Sequence, residues 1–193
     1  MNMVHDFSTK VSYDQIATAN SIISTTKIQN KDYAEVNQRI KAFRFLYPQG
    51  FITTNIESLQ DGVCVMSASV GYYEDGKPVV IGTGTAYEKE SSSFINKTSY
   101  IENCETSAVG RALGMAGIGI DISVASAEEV QNAILNQECD KEATQVEKKS
   151  LMAMIKSMGL DYKVVLGAVG WEEGKALTKK QYVQVLANLK NEA

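Results

Sequence analysis

The sequence predicts an α+β fold: a helix, then a three-stranded antiparallel β-meander packed on a long helix, then a small C-terminal helical module. Three observations carry this. Residues 51–88 form three runs rich in Thr, Val and Ile, separated by Asp61-Gly62 and Asp75-Gly76, which are hairpin signals. On both sides of these runs the apolar spacing changes to three and four, the helical period. Further on, Thr144-x-x-Glu147 and Thr178-x-x-Gln181 are capping boxes that open two more helices.

The elements follow in order. Residues 1–30 read as an N-terminal arm with a short helix from Tyr13 to about Ile23. The core spans 31–136. From Asp32, Tyr33, Val36, Ile40, Phe43 and Tyr47 share one helical face, and Pro48-Gln49-Gly50 ends the helix. Lys41 and Arg44 lie off that face. The strands run about Phe51–Ser58, Val63–Tyr73 and Pro78–Glu88. In the second, Cys64, Met66, Ala68 and Val70 alternate with Val65, Ser67 and Ser69. A small sheet must cover one face with a helix.

That helix is predicted from Ser99-x-x-Glu102, so it starts near Tyr100. Ile101, Cys104, Ala108, Ala112, Met115 and Ala116 form its apolar stripe. Ser107, Gly110, Gly114 and Gly117 form a ridge of small residues, which points to a closely packed neighbour because glycine otherwise weakens a helix. Ser126-x-x-Glu129 caps another helix, about Ala127–Asn136. Residues 137–146 are polar and read as a linker. The module, 147–193, takes its core from Leu151, Met154, Ile155 and Met158, and from Tyr182, Val185, Leu186 and Leu189, with a short helix around Lys163–Val169 between them.

Composition narrows the function. The chain has 193 residues, of which 44% are hydrophobic, enough for one substantial core and a small module. No run approaches the ~20 apolar residues of a membrane span, and MNMVHDFSTK has no export signature. Three distant cysteines, Cys64, Cys104 and Cys139, with no C-x-x-C pair, argue against a disulfide framework or zinc knuckle and for a reduced, cytoplasmic setting. The one histidine, His5, nearly removes histidine triads and metal sites. No cofactor and no enzymatic activity are expected. Net charge is −4, so any anion-binding surface must be assembled locally by folding.

Several motifs have an ordinary structural reading. Gly82-Thr83-Gly84 sits inside a strand, so it marks close backbone packing or a bulge rather than a phosphate loop. Glu88-Lys89-Glu90 invites a metal-nuclease reading, but Glu74 and Asp75 point away in a turn. Glu102 and Glu105 complement a helix dipole. Arg111 stands among small and apolar residues and needs an anion: Glu105, Asp121 or a sheet residue, or else a phosphate.

YIENCETSAVGRALGMAGIGID (100–121), SVASAEEVQNAI (123–134) and KDYAEVNQRIKAFRFLYPQGFITTNI (31–56) resemble phage and prophage single-strand DNA annealing proteins of the Erf/Sak type. These are similar in turn to the annealing domain of Rad-type recombination mediators. The resemblance covers roughly residues 30–135. It implies a β-β-β-α core in rings or filaments in the host bacterial cytoplasm, with single-stranded DNA in a basic groove between sheet and helix. It places Arg111, within Gly110-Arg111-Ala112-Leu113, against DNA, with Lys97 as a second phosphate contact. Lys41, Arg44, Lys89 and Tyr100 are further candidate DNA contacts. Lys175, Lys179 and Lys180 of the module are expected to touch DNA weakly, or the module to recruit a single-strand-binding protein. The alternative is a protein-interaction or anti-defence accessory protein without DNA binding.

Overall fold

The computed structural model describes residues 11–93 and 96–191, so His5 lies outside the described residues. The chain forms α1 (Tyr13–Ser21), β1 (Thr25–Ile28), β2 (Lys31–Ala34), α2 (Val36–Leu46), β3 (Phe51–Gln60), β4 (Val63–Glu74) and β5 (Lys77–Lys89). A 3-10 turn (Glu90–Ser92) leads to α3 (Asn96–Met115), α4 (Ala127–Asp140), α5 (Gln145–Ser157), α6 (Tyr162–Gly167) and α7 (Lys179–Asn191). It divides into two compact units. One runs to Ser91 and resumes through Asn132; the other holds residues 92–93 and the chain from Ala133.

The α+β architecture is the one the sequence predicts: an antiparallel sheet in the order β3-β4-β5, with α3 packed across β4 and β5. Strand alternation sets the faces. Cys64, Met66, Ala68 and Val70 are buried under α3 with Cys104, Ala108 and Ala112. Gly82 and Gly84 let the backbones meet: a Cβ at Gly82 would stand 2.3 Å from the Ala112 carbonyl oxygen, and at Gly84 2.5 Å from that of Ala108. Close packing is therefore the role of Gly82-Thr83-Gly84.

The ridge of small residues on α3 serves α2. A Cβ at Gly110 would lie 2.8 Å from Val36 Cγ2, and one at Gly114 2.6 Å from Arg39 Nη1. Within α3 a short helical turn from Asn96 is broken at Ser99, with φ −142° and ψ 24°, and the long helix runs on from Tyr100, where the sequence places its start.

One element differs from expectation. Residues 25–34 form the β1-β2 hairpin, so the leading helix begins at Val36 and not at Asp32. Gln29 and Asn30 make the turn in the left-handed region, at φ 48° and 65°. Asn tolerates that region because its short polar side chain bonds locally.

The second unit has its own core of Ala143, Leu151, Ile155, Leu166, Leu177, Val185 and Leu189. Helix α4 continues to Asp140, so the first residues of the expected linker are helical. Residues 141–143 then pair with 177–179: the Ala143 N–H donates to the Leu177 carbonyl, and the Lys179 N–H to that of Lys141, each at 2.8 Å.

Candidate nucleic-acid interface

The six residues assigned to DNA from the sequence fall on three surfaces. Lys41 and Arg44 are exposed on α2. The Arg44 guanidinium donates to the Gly50 carbonyl and lies 5.6 Å from the Phe43 ring centroid, which holds it at the C-terminal end of that helix. Lys97 is exposed in the first turn of α3. Tyr100 is half-buried and packs on the first core. Lys89 is exposed and, by register with Val63, lies on the sheet face away from α3.

Arg111 projects from α3, and its Nε donates to Glu129 Oε1 at 2.6 Å. Its partner is therefore neither Glu105 nor Asp121. Glu105 instead accepts a hydrogen bond from Thr54 Oγ1 at 2.7 Å. Glu129 does two things at once. It closes the α4 capping box, accepting from the Ser126 N–H at 2.9 Å while its own N–H donates to Ser126 Oγ at 3.2 Å. Its second oxygen holds the arginine. The Arg111 side chain remains 48% exposed while that of Glu129 is only 10% exposed, so an outside anion could reach the arginine without unfolding anything.

The side of α3 toward β3 is not basic. By register Thr54, Ile56 and Leu59 share the α3 face with Ala68, Met66 and Cys64. Ile56 and Leu59 are nearly half exposed there, and Glu105 is the charge facing Thr54. Among the described residues, this side holds no basic groove of the kind the resemblance implies. Over residues 40–116 the chain has six basic and eight acidic side chains, a net charge of −2.

Two buried polar centres frame the site. Arg39, which spacing alone did not single out, is fully buried between α2 and the residues after α3. Its Nη1 donates to the carbonyls of Gly110 at 2.8 Å and Val124 at 2.9 Å; its Nη2 donates to Ser123 at 2.6 Å and Ala125 at 3.1 Å. Burial pulls its pKa down, and Glu129 and Glu128 oppose that. Glu128 also accepts the Val36 N–H at 3.0 Å, capping α2 from another helix. Arg39 and Glu128 thus fix α2, with Lys41 and Arg44, relative to α3, with Arg111. The signal in the sequence was Arg39 falling three residues from Val36 and four from Phe43, on the buried face of α2.

The second centre is Glu88, which accepts from Asn96 Nδ2 at 2.6 Å, while Asn103 donates to Asn96 Oδ1 at 2.7 Å. Burial raises the Glu88 pKa, the Asn96 hydrogen bond opposes this, and Glu129 adds to it. Glu88 is thus committed to holding the start of α3. Among the described residues no group of three or more His, Cys, Asp or Glu could hold a metal ion.

Residues 40–116 match the family model described as "Slr1353 N-terminal dsRNA-binding domain-like". The matched segment is the α2-β3-β4-β5-α3 unit, so it covers the helices and sheet that carry all six assigned residues. No curated protein matches the chain. The match points to a nucleic-acid-binding domain in general and lends no support to an Erf/Sak-type phage annealing protein. No helix among the described residues is long and apolar enough to cross a membrane.

Proposed function

We propose that the α2-β3-β4-β5-α3 unit binds nucleic acid, that its substrate is single-stranded DNA, and that the protein promotes pairing of complementary strands in phage recombination. The match over residues 40–116 carries the nucleic-acid part of this reading. The preference for single strands and for annealing rests on the resemblance of residues 31–56, 100–121 and 123–134 to annealing proteins. Lys41, Arg44, Lys97 and Arg111 are exposed on the two helices and are the groups offered to phosphates. Neutralising phosphates releases counterions, so binding weakens as salt rises.

A chain of net charge −4 needs more than one subunit's contacts. The three-stranded sheet has two edge strands, β3 and β5. Edge strands are natural sites for joining copies, and a ring or filament would multiply weak contacts through effective concentration. The module of α5, α6 and α7 would add contacts or recruit a single-strand-binding protein. Lys175 is paired with Glu172 at 2.8 Å and Lys179 faces the charges of Glu147 and Glu138, which leaves Lys180 as its better candidate.

Two observations favour a second reading, a protein-interaction module without nucleic acid: the matched unit is net acidic and its Arg111 is already paired. Annealing of two complementary oligonucleotides labelled with a donor and an acceptor dye, without nucleotide or metal, separates the two. Acceleration over the protein-free rate supports annealing. Binding without acceleration reduces the function to strand binding, and no binding at low salt favours the interaction module.

A further inference from the structure

The sheet has a second face, and within the first unit none of the described helices packs on it. Register places five rungs across it: Phe51, Gly71 and Val80; Thr53, Ser69 and Thr83; Asn55, Ser67 and Thr85; Ser58, Val65 and Tyr87; Gln60, Val63 and Lys89. The central rungs carry hydroxyl and amide groups. The ends carry exposed aromatic rings. Tyr87 is 73% exposed at one end, and Tyr73 is 54% exposed at the other, with its ring 5.4 Å from that of Phe51. The two ends are about 20 Å apart at ~3.3 Å per residue, the length of several extended nucleotides. Among the described residues of this face, charge is confined to Lys89 at one end and Glu57, which accepts from Asn55 Nδ2 and Ser67 Oγ.

This chemistry selects the occupant. A second copy packed face to face would bury hydroxyls and amides without water and set one Glu57 near another, and both are unfavourable. A phosphate backbone would meet almost no cations. Nucleobases fit: they are neutral, their flat faces stack on aromatic rings, and their edges carry the donors and acceptors that Ser, Thr and Asn complement. We propose that this open face takes the unstacked bases of a single strand between Tyr87 and the Tyr73–Phe51 pair, with Lys89 meeting a flanking phosphate. The inference rests on the nucleic-acid reading above but assigns a different surface from the helix residues Lys41, Arg44, Lys97 and Arg111.

The test compares strands of equal phosphate count on the full chain. Fluorescence anisotropy measures affinity for an oligomer of about twenty deoxyuridines, the same length of uridines, and an abasic deoxyribose-phosphate oligomer. Tighter binding of either base-bearing strand than of the abasic one is expected, and the two base-bearing arms distinguish DNA from RNA. Tyr87→Ala and Tyr73→Ala should each weaken the base-bearing strand by about tenfold and leave the abasic strand unchanged. Tyr87→Phe should restore most of the loss. Equal binding of abasic and base-bearing strands by the wild type would overturn the proposal while leaving backbone binding intact. So would a base preference that survives both alanine variants. Failure to bind any of the strands would remove the nucleic-acid reading itself, and the proposal with it.

Discussion

Glu129→Gln tests whether Arg111 is held ready for phosphate or is purely structural. The substitution removes the charge that holds Arg111 Nε at 2.6 Å. It keeps the α4 cap, because glutamine serves in a capping box as glutamate does. The pair is half exposed on the arginine side, so its net worth is that of a surface ion pair, about 0.2–1 kcal/mol. In the wild type a phosphate must compete with Glu129 for Arg111 at about that cost. Removing the competitor should therefore tighten single-strand binding by up to about fivefold at low salt. Stability should fall by no more than about 1 kcal/mol, some of it through Arg39, whose charge Glu129 also faces. Arg111→Ala should weaken binding and lower the salt slope by about 0.7. In the Arg111→Ala background, Glu129→Gln should bring no gain. Anisotropy titrations and thermal melts on the three proteins give all these quantities. A folded Glu129→Gln protein with unchanged or weaker affinity would refute the reasoning and leave Arg111 a structural residue.

Other outcomes follow from the buried groups. Arg39→Ala should destabilise the first unit by about 3 kcal/mol or more, since it strands four carbonyls; a melting-temperature drop below about 6 °C would contradict that. Burial raises the Glu88 pKa, so the folded state binds its proton more tightly than the unfolded state does. Stability from this group is present at low pH and is lost as pH rises from the ordinary carboxylate value through the raised one. Glu88→Gln should flatten that dependence above the ordinary carboxylate range, as read by thermal melts. The Cys104 thiol is pushed up to about 12, chiefly by burial, so a thiol reagent at neutral pH should modify half-buried Cys139 first, with Cys64 and Cys104 labelled only on unfolding.

The sheet was legible because one face is buried: alternation in Val63–Tyr73 reports which side meets α3, and the Asp-Gly turns fix the register. Gly82-Thr83-Gly84 is legible for the same reason, since glycine in a covered strand marks close approach. The β1-β2 hairpin was hidden because Tyr33 and Val36 happen to continue the α2 spacing, and Gln29-Asn30 is a weaker turn signal than Asn-Gly. The candidate site was legible only in part. Exposed Lys41 and Arg44 follow from helical periodicity, and exposed Lys97 from its place in the polar stretch before the long helix. The Arg111–Glu129 pair does not, because it depends on how the chain between α3 and α4 folds back. That path is set by Arg39 binding the carbonyls of Ser123, Val124 and Ala125, and backbone carbonyls leave no mark in the sequence.

The most direct measurement is a salt titration of single-strand binding by the wild type and by a Lys41→Gln, Arg44→Gln, Lys97→Gln, Arg111→Gln variant. Anisotropy of a labelled oligonucleotide gives the observed association constant at each salt concentration. With four helix cations on phosphates, the wild type should lose affinity with a log–log slope of about −3. The folded variant should bind far more weakly with a slope near zero. Absence of wild-type binding even at low salt, or a variant with the wild-type slope, would contradict the assignment of these four helix residues to nucleic acid.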